Sequence, residues 1–263
     1  MNGVNPHLEK YANLWLGSDD SNCNRGSIFV PLCGKTVDLV WLSKIANVVG
    51  IDIVREAAEQ FAIEHPELSM IEYQGDEMSD ICDGDLQNLK SATECTLSKQ
   101  SFFVGENLTF LIGNLFDFMT LSNEKMSRCL NRSTKIEQSS QNNSFFDAIY
   151  DRASMIAIEP SLRQDYVNLL GSMLQPGGSI LLITIEKREV IRDETKISGP
   201  PFSIDESQVR LFYEGLDWVK SVTLLETQNQ IITDADKEKW EARGVMEAYE
   251  LVFLIRKKGD VSQ

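Results

Sequence analysis

The sequence lacks several features that define common classes of protein. Its longest strongly apolar stretch, residues 180–185, is far too short to cross a bilayer. The first residues show no basic segment followed by an apolar one, so no signal peptide is indicated. The five cysteines are an odd number without a C-x-x-C pair, which indicates neither a disulfide framework nor a zinc site. We therefore expect a cytoplasmic protein with reduced thiols and no membrane partner.

Positive charge is also scarce. Lys and Arg number 25 against 40 Asp and Glu, which gives a net charge of −15. Such a surface repels phosphate backbones and anionic lipid, so nucleic acid and membranes are poor candidates for partners. We expect a monomer that binds a small or cationic ligand.

The 263 residues, 42% of them hydrophobic, are ample for a sizeable core. Apolar spacing in the first quarter of the chain predicts, in order, a helix at 6–16, a buried strand at 27–30, a helix at 36–46, a strand at 47–51 and a helix at 55–64. In the second of these helices, Val37, Val40, Trp41 and Ile45 recur at helical spacing. Alternating strands and helices with short links indicate a parallel sheet covered on its faces.

Two polar stretches interrupt this pattern. Residues 75–100 and 120–143 are rich in Ser, Asn, Asp and Lys, and we interpret both as surface insertions, the second as disordered. A hairpin at 101–104 and 108–112 lies between them. Regular elements then follow at 145–150, 161–174, 179–185 and 206–213, with a final antiparallel pair at 218–225 and 250–255. We predict one doubly wound α/β domain over residues 1–263.

The loop after the first strand, residues 31–38, lies where such sheets bind ligands, at the carboxyl ends of the strands. Its Gly-Lys-Thr triplet invites a phosphate-loop interpretation, but that motif needs a glycine at the position of Phe29. The dinucleotide pattern G-x-G-x-x-G is absent as well. Gly34 either lets a small ligand approach the backbone or simply forms a tight turn.

Asp52 ends the second strand, 18 residues after Gly34. A carboxylate at this position can accept hydrogen bonds from ribose hydroxyls. It can equally serve as the N-cap of the helix that follows. Together with Gly34, the position favours a ribose.

Polar residues also follow two later strands. Asn114 is a candidate for the edge of an adenine, with Leu115 and Phe116 against its face, or else an ordinary turn residue beside ordinary core. In the Asp151-Arg152 pair, Arg152 either anchors a ligand carboxylate or forms an ion pair with a neighbouring acid. We favour the ligand for Arg152.

With these residues in place, the chain resembles the thiopurine S-methyltransferase family, a branch of the class I S-adenosylmethionine-dependent methyltransferases. Five blocks carry the resemblance in the same order, residues 29–38, 48–52, 150–153, 175–178 and 199–203. The first and last blocks are specific to the family, whereas the Pro-Gly-Gly of the fourth is common to methyltransferases.

The resemblance implies a mostly parallel, seven-stranded sheet with helices on both faces and antiparallel last strands. It implies S-adenosyl-L-methionine as cofactor, lined beside the Gly34 loop by Leu32, Asp52, Asn114, Leu115 and Arg152. Pro201 and Phe202 would border the acceptor pocket, and Arg152 would lie near both ligands. Many family members have Glu in place of Asp52, which does the same chemistry.

The implied reaction is in-line displacement, in which an acceptor thiolate attacks the sulfonium methyl and S-adenosylhomocysteine leaves. The protein then supplies alignment and desolvation, so we assign no catalytic residue beyond a possible role for Arg152. We interpret Cys33 as a packing residue. Lys239 or Arg243, in a loop before the last strand, are candidates for favouring the thiolate.

Other interpretations stay open at this point. A methyltransferase of the same fold can act on halide, thiocyanate or another small thiol. Family members begin with a segment carrying two tryptophans and a Phe-His pair that this chain lacks, which suggests a cofactor-binding but catalytically impaired homologue. A nicotinamide-dependent oxidoreductase has Asp52 in its favour and the glycine count against it.

Overall fold

The computed structural model describes residues 3–17, 26–73, 101–120, 145–189 and 199–259. Apart from Thr120, both predicted polar insertions lie outside these residues. The chain divides into two compact units, one of residues 1–9 and 18–147 and the other of residues 10–17 and 148–263. The single domain predicted over residues 1–263 stays a prediction.

Six α-helices and nine strands lie in the described ranges. The helices are α1 (Pro6–Leu16), α2 (Asp38–Ser43), α3 (Arg55–Glu64), α4 (Arg163–Met173), α5 (Glu206–Tyr213) and α6 (Asp234–Glu241). The strands are β1 (Ser27–Val30), β2 (Asn47–Asp52), β3 (Ile71–Tyr73), β4 (Phe102–Val104), β5 (Leu108–Ile112), β6 (Phe146–Arg152), β7 (Leu174–Glu189), β8 (Val219–Asn229) and β9 (Val245–Lys257). No helix among the described residues is both long enough and apolar enough to cross a membrane.

The first unit is built on parallel strands. Strand β2 lies between β1 and β5 and runs parallel to both, and β4 and then β3 continue from β5 in antiparallel pairing. All four residues of β1 are buried, as expected for a strand covered on both faces. Since parallel strands end at the same edge, the loops after β1, β2 and β5 lie next to one another.

The second unit is mainly antiparallel. Its strand order is β6-β7-β9-β8, and the long β9 pairs antiparallel with both β7 and β8. Strand β6 begins in the first unit and ends in the second. Its last residues, Asp151 and Arg152, introduce a turn that leads through a short 3-10 helix into α4.

The predicted α/β class is confirmed, including the antiparallel last strands. The strands number nine in the described part of the chain rather than seven, because the short β3 was not predicted and β4 joins β5 at one side. Strand β7 begins at Leu174, so the Pro-Gly-Gly segment is extended rather than a break before the strand.

Helix α2 differs from its prediction in length and in its buried face. It covers Asp38–Ser43 rather than 36–46, and its buried apolar residues are Leu39 and Leu42. Val40 and Trp41 are half-buried and Ile45 is exposed. The apolar spacing chosen from the sequence was therefore the wrong one of two.

Candidate functional site at the strand ends

The loop after β1 has an unusual backbone conformation. Leu32 has φ 42° and Gly34 has φ 50°, so both lie in the left-handed region. That region is uncommon for a residue with a side chain such as Leu32. The Cys33 amide donates a hydrogen bond to the Ile51 carbonyl at 2.9 Å, which ties the loop to β2. The neighbouring strand therefore helps to hold the turn in this shape.

Asp52 fastens the same loop with its side chain. Its Oδ2 accepts a hydrogen bond from the Gly34 amide at 2.8 Å, and its Oδ1 accepts one from the Val54 amide at 2.9 Å. The N-cap of α3 is Val54, so the alternative that Asp52 is itself the cap is wrong. The structure thus brings Gly34 and Asp52 together. An ionised carboxylate has about four acceptor positions, so these two bonds leave acceptor capacity on each oxygen.

The loop after β5 starts next to Asp52. The Gly113 amide donates to the Asp52 carbonyl at 2.8 Å. Asn114 Oδ1 then accepts from the Phe116 amide at 3.0 Å and opens the 3-10 helix that begins at Leu115. The turn interpretation of Asn114 is therefore confirmed, while its contact with an adenine stays a prediction. Leu115 is buried and Asn114 is exposed.

Cys33 lies in this loop as a buried thiol. A Cβ added at Gly50 would lie 2.8 Å from the Cys33 sulfur, which shows how closely the thiol packs on β2. Burial raises the pKa of the Cys33 thiol well above its usual value, and the negative charge of Asp52 raises it further. A buried, protonated thiol is a poor nucleophile and agrees with a packing role.

In the second unit, Asp151 at the end of β6 is fully buried. Its Oδ2 accepts a hydrogen bond from the Tyr166 hydroxyl at 2.7 Å, and its Oδ1 accepts from the Met155 amide at 3.2 Å. Burial raises the pKa of Asp151 to about 6, and the bond from Tyr166 opposes that rise. The carboxylate thereby fixes the turn that begins at Arg152.

Arg152 lies at the position that the sequence predicts, as the last residue of β6 and half-buried. The next residue, Ala153, has φ 67° and its amide donates to the Ile183 carbonyl at 3.4 Å. A second non-glycine residue in the left-handed region thus follows a predicted site residue, as Leu32 follows β1. The contact of Arg152 with a ligand stays a prediction.

The Pro-Pro loop, residues 199–204, presents its members differently. Pro201 is exposed and its carbonyl accepts a hydrogen bond from Lys187 Nζ at 2.7 Å. Phe202 is buried, and its amide donates to the Ile156 carbonyl at 2.6 Å. Pro201 is therefore on the surface of the loop, whereas Phe202 attaches the loop to the turn after Arg152.

Sequence reasoning missed two residues that organise this unit, Arg163 and Tyr166. Both lie on the buried stripe of α4, where Arg163 is 3% and Tyr166 0% exposed. A signal was present, since Arg163, Tyr166 and Leu170 follow one another at helical spacing. A cation on an otherwise apolar stripe indicates a specific partner.

The candidates for favouring a thiolate need a correction. Lys239 is in α6 rather than in a loop, and only Arg243 follows that helix. The cationic groups of Lys239 and Arg243 lie 5.7 Å and 5.8 Å from the centroid of the Trp240 ring. Both side chains therefore have a packing role on Trp240, and their effect on an acceptor stays a prediction.

Comparison with known proteins adds an independent finding. The thiopurine S-methyltransferase family model matches residues 1–129 and 134–258. A thiopurine S-methyltransferase of Legionella pneumophila (strain Corby) is 30% identical over 255 residues, 97% of this chain and 89% of that protein. One of Vibrio atlanticus (strain LGP32) is 28% identical over 257 residues, with the same two coverages. A solved methyltransferase structure from Methanosarcina mazei has a TM-score of 0.51 at 13% identity over 98% of this chain and 99% of that one, which supports the fold alone.

Proposed function

The chain belongs to the thiopurine S-methyltransferase family, and from this premise we propose that it methylates the sulfur of an aromatic or heterocyclic thiol. The methyl donor is S-adenosyl-L-methionine, and S-adenosylhomocysteine is released. The observation that carries the proposal is the hydrogen bond between Gly34 and Asp52 at adjacent strand ends. It places a carboxylate and a glycine turn where this class of fold binds a ribose.

The residues of the first unit suit such a cofactor by their chemistry. Ribose hydroxyls are donors, and Asp52 keeps acceptor capacity on both oxygens after binding Gly34 and Val54. Leu32 and Leu115 supply apolar surface of the kind that an adenine packs against. Together with Asn114 and, from the second unit, Arg152, these residues would hold the cofactor.

When bound, the cofactor supplies a methyl group on a positively charged sulfur, which is already activated for transfer. The chain therefore has to align the acceptor and exclude water rather than form a covalent intermediate. The exposed prolines of the Pro-Pro loop would face the acceptor, and Arg152 would orient its negative charge. An aromatic thiol of low pKa is largely ionised near neutral pH, so no general base is assigned.

Other properties belong to the same proposal. A monomeric, cytoplasmic enzyme without a nucleic-acid partner agrees with the net charge of −15. Activity on halide, thiocyanate or another small thiol is the alternative within the same fold.

The proposal is tested by calorimetric titration with S-adenosylhomocysteine, with NADH as the control ligand. We expect saturable binding that Asp52→Ala weakens tenfold or more, since hydrogen bonds to a charged group are worth about 1.5–3 kcal/mol. Asp52→Asn is the matched variant, because it keeps one acceptor oxygen for the loop. Turnover is then compared between aromatic thiols, small thiols and thiocyanate. Binding of NADH instead, or no saturable binding, would contradict the proposal.

A further inference from the structure

Arg163 is a buried cation that the proposed chemistry does not use. Its side chain is 3% exposed, and its Nη2 is buried without a hydrogen-bond partner. No carboxylate of the described ranges lies within salt-bridge distance of it. Burial lowers the pKa of the guanidinium, and the charge of Glu159 opposes this effect. Since charged side chains are almost never buried unless paired, Arg163 needs another explanation.

The explanation lies in what its guanidinium faces. The central guanidinium carbon lies 5.1 Å from the centroid of the Phe202 ring, within the range of cation–π attraction. Arg163 Nε also donates a hydrogen bond to the Ile158 carbonyl at 3.2 Å, which limits how the side chain can turn. The guanidinium is therefore held at a defined place against the ring.

Phe202 is fixed by several contacts at once. Its amide donates to the Ile156 carbonyl, two residues before the Ile158 carbonyl that Arg163 uses. Its ring also packs directly on Gly199, where an added Cβ would lie within bonding distance of the ring. Arg163 and Phe202 thus share one support, the turn that follows Arg152.

The part of the loop that this arrangement holds is exposed. Pro200 and Pro201 lie on the surface, while Phe202 is buried behind them. The other side-chain contact to this part of the loop is Lys187 Nζ on the Pro201 carbonyl, at an exposed position. Within the described residues, Arg163 is therefore the buried side chain that sets the ring of Phe202.

We propose that Arg163 is a positioning residue that, through the ring of Phe202, fixes Pro200 and Pro201 in the place from which they select the acceptor. This inference rests on the proposed function, because it takes the prolines to border the acceptor. Arg163 itself touches no substrate. Its loss should therefore weaken acceptor recognition while binding of the cofactor stays unchanged.

The experiment compares Arg163→Met, which keeps a long apolar side chain, with Arg163→Lys, which keeps the charge. A cation–π contact of this kind corresponds to a rise of roughly threefold to thirtyfold in the acceptor KM for Arg163→Met. We expect kcat and S-adenosylhomocysteine affinity to stay unchanged, and Arg163→Lys to restore most of the KM. In Phe202→Leu, adding Arg163→Met should raise KM no further, because the ring is already gone.

Two results would overturn the inference. One is a fall in kcat with an unchanged KM, and the other is additive effects of Arg163→Met and Phe202→Leu. If the unsubstituted chain turns over no thiol, the proposed function fails, but hydrogen exchange of the Phe202, Ser203 and Ile204 amides still tests the contact. Faster exchange in Arg163→Met would support the positioning role, and unchanged exchange would refute it.

Discussion

Replacing Tyr166 by Phe removes one hydroxyl from the interior and leaves a buried carboxylate short of a donor. The Tyr166 hydroxyl lies 2.7 Å from Asp151 Oδ2, and both residues are 0% exposed. A hydrogen bond to a charged group contributes about 1.5–3 kcal/mol. We expect Tyr166→Phe to lower the free energy of unfolding by about that amount at pH 8, where Asp151 is ionised.

The loss should depend on pH because Asp151 titrates within an accessible range. Its pKa is about 6 in the folded chain against 3.8 for an ordinary Asp, so the folded state binds the proton more tightly. Folding is therefore favoured as pH falls from about 6 towards 3.8, by up to about 3 kcal/mol from this group. Below pH 6 the carboxyl becomes neutral, and a neutral hydrogen bond contributes only about 1 kcal/mol. The deficit of Tyr166→Phe should shrink accordingly.

Tyr213 provides the matched control. It is as buried as Tyr166, but its hydroxyl has no hydrogen-bond partner. Tyr213→Phe should therefore be neutral or stabilising, since it removes an unsatisfied buried group. Urea unfolding followed by circular dichroism at pH 8 and pH 5 measures all three proteins. Equal losses in the two variants, or a loss in Tyr166→Phe that does not change with pH, would refute the reasoning.

Two further predictions concern packing and capping. Gly50→Ala should cost about 1–3 kcal/mol of stability because its Cβ would meet the Cys33 sulfur at 2.8 Å, and adding Cys33→Ala should recover most of it; a double variant no more stable than Gly50→Ala in urea unfolding would contradict this. Asp205 forms a capping box with Gln208 at the start of α5, so Asp205→Ala should lower the melting temperature through a loss of about 1 kcal/mol. Asp205→Ser should restore it, and an unchanged melting temperature in Asp205→Ala would count against the cap.

Helix bounds were predictable where the chain marks them chemically. Pro6 is the first residue of α1, and His65-Pro66 stops α3, so both helices have the bounds that the sequence predicts. The residues of α2 carry apolar side chains on two faces, and six residues are too few for periodicity to choose between them. Strand β3 is three residues long with every side chain exposed, which leaves no hydrophobic pattern to detect.

The candidate site was predictable in position but not in its contacts. Asp52 and Arg152 were found because strand ends can be identified from buried runs and turn residues. That Asp52 bonds the Gly34 amide, or that Tyr166 bonds Asp151, depends on distances between elements far apart in sequence. Arg163 was missed because helical spacing identifies a buried stripe without showing what lies opposite it.

Leu32 and Ala153 share a consequence beyond the shape of their loops. Each holds a side-chain-bearing residue in the left-handed region, which opposes folding by roughly 1–2 kcal/mol per residue. The surrounding strands supply the energy that keeps these turns in place. Turns held in this way relax first when the supporting structure weakens. Variants with distant core defects should then lose ligand affinity at temperatures where their helices and strands are still intact, so that heat inactivation precedes melting.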